Sequence, residues 1–307
     1  MREETTYLSE NGTTQIHAYT WKPEGAVRAA VQIIHGMQEF VDRYADFAQY
    51  LNVHGILVCG NDHLGHGASI ESVDDFGFFG ENGNAYVLSD IRTLHQKTKE
   101  AYPNVPYFLL GHSMGSFLAR QYITMYGEEL AGAIISGTGS QPPMKLAFGK
   151  RVCKSNAAKH GWRYRSEKIT QMAVGSYNKI FEPARTPVDW LTKEDAVIDK
   201  YMSDQRCTFL FTVNGYYEMF KSIGECQSKE NMARIPKDLP LFFVSGAQDP
   251  VGDCGRGVQK AYESYLKIGM TDVSCRIYPD DRHEILNETD KDVVYADLLA
   301  WISEKIK

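Results

Sequence analysis

Short apolar runs alternate with helix-periodic stretches along most of this chain. The apolar runs are bounded by glycine or polar residues, as buried strands are, and lie at residues 28–34, 56–59, 107–110 and 131–135. Between them, apolar side chains recur every three or four residues, which is typical of amphipathic helices over 44–53, 86–102 and the stretch after 113. This alternation predicts an α/β fold with a mostly parallel central sheet and helices on both faces.

The start of the chain has a different pattern. Residues 5–9 and 14–22 alternate polar and apolar side chains on either side of Asn11-Gly12. An Asn-Gly pair between alternating runs is the strongest short signal for a β-hairpin. We therefore predict an antiparallel hairpin here.

From about residue 141 to residue 236 the regular alternation stops. This stretch is mixed, aromatic and locally basic, and it contains no clear strand. The alternation resumes afterwards, with predicted strands at 239–245 and 273–278 and helices near 255–268 and 290–306. We therefore predict one core formed by residues 1–140 and 237–307, with 141–236 as an inserted lid. Ligands of such folds bind beyond the carboxyl ends of the strands, where this insertion would lie.

Composition narrows the class of protein. The chain has 307 residues, of which 43% are hydrophobic and 23% charged, as in ordinary globular proteins. A net charge of −6 argues against nucleic acid as a partner. The first residues lack the apolar core of a signal peptide, no apolar run is long enough to span a membrane, and the six cysteines are scattered. We expect reduced thiols and a cytoplasmic location.

The chemistry begins at Gly111-His112-Ser113-Met114-Gly115, which fits the motif G-x-S-x-G. The motif lies between a predicted strand and a predicted helix, which is the context it requires. A sharp turn there would expose the hydroxyl of Ser113, and the start of the helix would favour developing negative charge. The same pattern also occurs in ordinary strand-turn-helix connections, so other residues must support a catalytic role.

A serine nucleophile needs a histidine base and a carboxylate that orients it. Two histidines follow Ser113: His160 lies inside the predicted lid, and His283 follows the last predicted strand. Asp249 stands just past the preceding strand, with Asp253 as the nearby alternative. An aspartate before proline can simply cap a turn. Together, however, Ser113, Asp249 and His283 occur in the order expected of a triad on an open α/β sheet.

An oxyanion hole needs two backbone N–H donors. We assign one to Met114, the residue after the predicted nucleophile. The other is assigned to Met37, in the loop after an earlier strand, where Gly36 permits close backbone approach. This chemistry requires no metal and no organic cofactor.

Four segments carry a resemblance to a known family: residues 34–39, 61–69, 110–115 and 246–249. Through them the chain resembles the monoacylglycerol lipases and lysophospholipases of the α/β-hydrolase superfamily. The resemblance implies an α/β-hydrolase fold, Ser113, Asp249 and His283 as the triad, and the N–H groups of Met37 and Met114 as the oxyanion hole. The implied substrate is an acyl ester or lipid with one acyl chain.

The chain departs from that family at two positions. Phe40 stands where the family usually has a histidine, and Ser116 stands where a third glycine is common. The predicted lid also aligns poorly with that family, so the resemblance does not identify the substrate.

Other functions remain possible on the same fold. An aminopeptidase-like relative would need acidic residues in the lid to bind a substrate ammonium group, and the lid contains Glu182, Asp189, Glu194 and Asp195. An acyltransferase would transfer the acyl group to an alcohol in preference to water. A binding module without activity would not need all three triad residues.

The predicted lid contains a strongly basic segment. Residues 145–168 hold eight lysines or arginines and one acid, Glu167, which gives a charge of +7 by counting. The simpler interpretation is a solvated face. The alternative is peripheral contact with an anionic membrane or lipid, with apolar side chains inserting at Met144, Leu146, Phe148 and Trp162.

Two further patterns allow more than one interpretation. His63 and His66, in a glycine-containing loop, could bind a metal, but they more simply shape the edge of the sheet. An apolar stripe in the lid could either pack in the core or line an acyl-chain pocket, and it comprises Phe209, Val213, Tyr216, Tyr217 and Phe220.

Overall fold

Eight strands form one sheet in the computed structural model, which describes residues 1–306. The strands are β1 (Arg2–Leu8), β2 (Gln15–Trp21), β3 (Ala29–Ile34), β4 (Ile56–Asn61), β5 (Tyr107–His112), β6 (Gly132–Ser136), β7 (Leu241–Gly246) and β8 (Val273–Tyr278). The helices are α1 (Ala45–Val53), α2 (Gly83–Ala101), α3 (Met114–Tyr126), α4 (Pro143–His160), α5 (Glu167–Val174), α6 (Asp195–Ser203), α7 (Val213–Cys226), α8 (Lys229–Ala233), α9 (Arg256–Lys267) and α10 (Lys291–Lys305).

The strand order is β1-β2-β4-β3-β5-β6-β7-β8. β1 and β2 form an antiparallel hairpin in which Arg2 pairs with Trp21 and Leu8 with Gln15. β2 is also antiparallel to β4, whereas every pairing from β4 to β8 is parallel. The predicted hairpin and the predicted mostly parallel sheet are both confirmed.

The sheet is covered on both faces, which explains why its central strands are apolar at consecutive positions. Along β5, Tyr107 and Leu109 pack on one side together with residues of α2, α3 and α9. Phe108 and Leu110 point to the other side, where they join residues of α1 and α10. The alternating directions of strand side chains thus supply two cores from one continuous apolar run.

The segment between β6 and β7 is helical and contains α4 to α8. α4 packs against α7, and α7 packs in turn against α3, the helix that follows Ser113. On α4 the buried positions are Leu146, Gly149 and Cys153, whose spacing gives one helix face. This packing fixes the segment above the part of the sheet that carries the G-x-S-x-G motif.

Within residues 1–306, none of the helices has both the length and the apolar character needed to cross a bilayer. All six cysteines are free thiols.

Candidate active site

A cavity of about 340 Å³ lies at the carboxyl ends of the strands. Its wall combines the loops after β3, β5, β7 and β8 with residues of α4, α5 and α7. Ser113 and His283 belong to this wall, which is otherwise mainly apolar and includes Met37, Leu146, Phe148, Met172, Phe220 and Ile223. An apolar cavity of this size, with a few polar groups, is typical of a small-molecule site.

Ser113 lies at the turn between β5 and α3 with a left-handed φ of 54° and ψ of −120°. The turn is tight on both sides. A Cβ on Gly115 would collide with the carbonyl oxygens of Ile34 and His35, and one on Gly111 would come within 2.6 Å of Ala119 Cβ. The two glycines therefore permit the strained turn that brings Ser113 to the cavity wall.

Two backbone N–H groups lie beside this serine. Met37 follows β3 and Met114 begins α3, and both residues line the cavity. A Cβ on Gly36 would come within 2.9 Å of Ser113 Cβ, which shows how closely the two loops approach. Across residues 1–306, neither N–H donates a hydrogen bond to another protein group. Both donors are thus available to a ligand.

Asp249 and His283 lie together, although 34 positions separate them in the sequence. His283 Nδ1 is 2.9 Å from Asp249 Oδ1, and both side chains are buried. The carboxylate is fixed by the hydroxyl of Ser245, which donates over 3.1 Å, and by the N–H of Val251, which donates over 2.9 Å. Asp253, the alternative acid, is instead paired with the exposed Arg256. The structure therefore brings Asp249, and not Asp253, to the imidazole.

The imidazole of His283 is held mainly by packing. Its ring lies 5.0 Å from that of Trp190 and 4.7 Å from that of His112, measured between centroids. Within residues 1–306, neither ring nitrogen has a well-aligned hydrogen bond, to Ser113 or to any other group. In enzymes without bound substrate, catalytic hydrogen bonds are often long or poorly aligned and tighten when substrate binds.

A buried ionic network next to this site was not predicted. Arg43 donates to Glu39 over 3.0 Å and to both carboxylate oxygens of Glu284 over 2.8 and 2.7 Å. Glu39 Oε1 also lies 2.9 Å from His112 Nδ1, and His112 Nε2 lies 3.3 Å from the carbonyl oxygen of His283. The network therefore connects the loops that carry Met37, Ser113 and His283.

The charged groups in this network shift the pKa values of their neighbours. Burial by itself would raise the pKa of Glu39 and of Glu284, but Arg43 and the ring of His112 hold both values below the ordinary range. Burial would likewise lower the pKa of His112, yet the carboxylate of Glu39 raises it above the ordinary value. With His112 protonated, two carboxylates are balanced by one guanidinium and one imidazolium.

The sequence contained a partial signal for this network. Glu39 and Arg43 are charged residues four positions apart, directly after a wholly buried strand. Glu284 directly follows His283 in the sequence. Its actual partner, Arg43, is 241 positions away, and no local pattern indicates that pairing.

A second group of histidines lies in the core beside the β3 and β4 loops. The rings of His35 and His63 stack at 4.0 Å, and His66 meets His35 edge-on at 5.2 Å. Burial lowers the pKa of His35 to about 4 and that of His66 to about 3, and it places the pKa of His63 well below its usual value. Within residues 1–306, no three metal-ligating side chains are arranged to hold an ion.

The apolar stripe within residues 209–220 is divided between the core and the cavity wall. Phe220 lines the cavity. Val213 and Tyr216 are buried in the core, and Phe209 stacks on Phe76 at 4.8 Å. Core packing is thus confirmed for Val213 and Tyr216, and Phe220 is the residue of the stripe that the cavity exposes to a ligand.

Comparison with known proteins identifies similar sequences and folds. The family model described as serine aminopeptidase S33 matches residues 25–290. A monoglyceride lipase homolog of Monkeypox virus is 39% identical, covering 95% of each chain. Human monoglyceride lipase is 36% identical over 93% of this chain and 86% of its own. A thermostable carboxyl esterase from Bacillus coagulans, 28% identical, superposes with a TM-score of 0.93 over 100% of this chain and 99% of that one.

Proposed function

We propose that this chain, which belongs to the serine aminopeptidase S33 family of α/β-hydrolases, is an ester hydrolase. Its substrates are carboxylic esters with one acyl chain, such as monoacylglycerols and lysophospholipids. The observation that supports this most is the position of Ser113 in the wall of a mainly apolar cavity, with His283 and Asp249 beside it. The names of the relatives and of the esterase neighbour agree with this substrate class.

The proposed reaction gives one role to each of five residues. Ser113 attacks the ester carbonyl while His283 accepts its proton, and Asp249 keeps the imidazole in the required tautomer. The N–H groups of Met37 and Met114 bind the oxyanion of the tetrahedral intermediate. His283 then protonates the leaving alcohol, and a water molecule, deprotonated by the same imidazole, releases the carboxylic acid and restores Ser113.

The cavity favours an ester substrate over a peptide substrate with a free amino group. A substrate ammonium group would need a free carboxylate, and none of Glu182, Asp189, Glu194 and Asp195 belongs to the cavity wall. Asp189 accepts hydrogen bonds from the backbone of Arg185 and Thr186, and Asp195 pairs with Arg185. The two carboxylates that do line the cavity, Glu39 and Glu284, are both engaged by Arg43. The acidic lid residues thus give no support to aminopeptidase activity.

Labelling with a fluorophosphonate probe tests the nucleophile. The wild-type protein should be labelled and Ser113→Ala should not, whereas Ser116→Ala, three positions further along the chain, should keep the label. A panel of esters graded by acyl length and headgroup, with an aminoacyl amide alongside, tests the substrate class. Faster cleavage of the amide than of every ester would overturn the proposal. Acyl transfer to added glycerol in place of hydrolysis would indicate an acyltransferase.

We further propose that residues 141–236 form a lid whose basic face meets anionic lipid, in a protein located in the cytoplasm. Met144 is 86% exposed and Phe148 60%, and Phe148 and the exposed Met172 also line the cavity. Lipid could therefore pass from a bilayer directly into the cavity. Leu146 does not join this surface, contrary to expectation, because it lies on the buried stripe of α4 that packs against α7.

Co-sedimentation with vesicles tests this surface. We expect binding to anionic vesicles at low salt, little binding to neutral ones, and a severalfold loss in the double variant Met144→Ser/Phe148→Ser, because both apolar insertion and charge contribute. Val53→Ser, at an equally exposed apolar residue of α1, is the matched control. Background sedimentation on anionic vesicles would remove the membrane proposal without affecting the hydrolase assignment.

A further inference from the structure

Arg120 is an unusual charge in the interior of this protein. It lies on α3, two helical turns after Ser113, and its side chain is only 1% exposed. No carboxylate among residues 1–306 lies within ion-pair distance of its guanidinium. A buried charge without a counter-ion is costly, and replacing buried charges by apolar side chains is often neutral or stabilising. Stability alone therefore does not account for this arginine.

The guanidinium binds neutral groups from two different elements. One terminal nitrogen donates to the carbonyl oxygen of Gly139 over 2.8 Å and to the hydroxyl of Thr138 over 3.1 Å. Its Nε donates to the hydroxyl of Tyr265 on α9 over 3.1 Å. Arg120 thus joins the helix behind Ser113 to the loop after β6 and to α9. The planar fork of an arginine holds several acceptors in a fixed geometry, whereas the three donors of a lysine rotate about a single nitrogen.

The loop that Arg120 holds, residues 137–139, lies beside His283 and beside Val251, whose N–H binds Asp249. A Cβ on Gly137, whose φ is 59°, would come within 2.9 Å of His283 Cε1. A Cβ on Gly139 would come within 2.8 Å of the carbonyl oxygen of Val251. The N–H of Val251 in turn donates to Asp249 Oδ1, the oxygen that lies nearest His283 Nδ1. The loop therefore packs between the imidazole and the segment that fixes its carboxylate.

We propose that Arg120 is a positioning residue for ester hydrolysis: it holds the 137–139 loop in the place that sets His283 against Asp249. This inference rests on the hydrolase function proposed above. Since neither nitrogen of the His283 ring has a well-aligned hydrogen bond in the part of the chain that the structure describes, the orientation of the ring depends on the atoms packed around it. In enzymes generally, a misplacement of the reacting groups by about 1 Å can lower the rate about 100-fold, because proton transfer demands close alignment.

The test compares turnover per active site in three variants. Arg120→Met keeps the length and removes every donor, Thr138→Val removes only the hydroxyl acceptor in the loop, and Tyr265→Phe removes the acceptor on α9 and leaves the loop untouched. Active sites are counted by fluorophosphonate titration, and kcat and KM are measured for a short-chain ester. We expect kcat per titrated site to fall about 10- to 100-fold in Arg120→Met and severalfold in Thr138→Val, with KM little changed. Tyr265→Phe should retain wild-type kcat.

The outcomes separate positioning from stability. A merely structural role lowers the number of titratable sites and the melting temperature, but it leaves kcat per site unchanged in all three variants, and that result overturns the proposal. Arg120→Lys, which keeps the charge but has only one donor nitrogen, should restore part of kcat, and it replaces Arg120→Met as the decisive variant if the latter does not fold. A wild-type protein that neither reacts with the probe nor cleaves any ester contradicts the proposed function itself, which is a distinct result.

Discussion

Two groups of buried histidines lie near each other at the carboxyl edge of the sheet, and their surroundings differ in one respect. His112 and His283 each lie 2.9 Å from a carboxylate oxygen, of Glu39 and Asp249 respectively. His35, His63 and His66 are equally buried, but they meet backbone atoms and aromatic rings.

The comparison shows that burial and charge act separately on a histidine. Burial alone lowers the pKa, as in the second group, and leaves neutral rings that serve as hydrogen-bonding core residues. At His112 the carboxylate of Glu39 reverses this effect and raises the pKa above its ordinary value. Residue type and burial therefore do not distinguish a structural imidazole from one next to the candidate active site. The presence of a neighbouring carboxylate distinguishes them.

The largest effect should come from removing the carboxylate beside His283. Asp249→Asn keeps the shape of the side chain but can present an N–H to the ring, which favours the wrong tautomer. We expect kcat to fall roughly 10³- to 10⁴-fold, as such changes do in other serine hydrolases. Ester turnover checks this, with Asp253→Asn as the control, which should retain activity within about twofold because its carboxylate pairs with an exposed arginine. Equal losses in both variants would contradict the assignment of Asp249.

A smaller effect should follow from removing the carboxylate beside His112. In Glu39→Gln the pKa of His112 should move from above its ordinary value to below it, as in the second group, which NMR titration of the histidine rings would show. We also expect a loss of about 1–3 kcal/mol in the free energy of unfolding, because buried groups lose charged partners. Glu4→Gln is the control: Glu4 pairs with the half-exposed His17, and its loss should cost less than about 1 kcal/mol.

The contribution of His112 to stability depends on pH. The folded pKa of His112 is raised, so its stabilisation is complete below the unfolded value of about 6.5 and is lost as the pH rises through the folded pKa. In Glu39→Gln this loss of stability at higher pH should disappear. If the unfolding free energy of the variant declines above pH 7 as steeply as that of the wild type, the protonated His112 is excluded.

The smallest effect should come from the second group. His66→Phe loses the hydrogen bond from Nδ1 to the carbonyl oxygen of Leu64 but keeps the contacts with Phe79 and Phe211, so stability at pH 8 should change by about 1 kcal/mol or less. The lowered pKa of His66 makes the wild type lose stability as the pH falls from about 6.5 towards about 3, because only the unfolded chain takes up the proton there. The variant should lose less. Urea unfolding at pH 8 and pH 5 measures both effects, and an unchanged difference between the two pH values would contradict the lowered pKa.

Local patterns were sufficient for most of the fold. The Asn11-Gly12 hairpin and the parallel strands followed from alternation, apolar runs and glycine positions, because these features depend on neighbouring residues. The order of Ser113, Asp249 and His283 along the chain also predicted a shared site, since each follows a strand that ends at the same edge of the sheet. The structure places Asp249 against His283 and puts Ser113 and His283 in one cavity wall.

The sequence by itself thus determined the sheet, the helices that cover it and the candidate nucleophile, acid and base. Only the tertiary structure decided which charges are buried together: Arg43 with Glu284, His112 with Glu39, and Arg120 with no carboxylate partner within residues 1–306. The physical reason is that strand and helix periodicity depend on residues a few positions apart. The free energy of a buried charge depends instead on which distant segments the fold brings within about 4 Å.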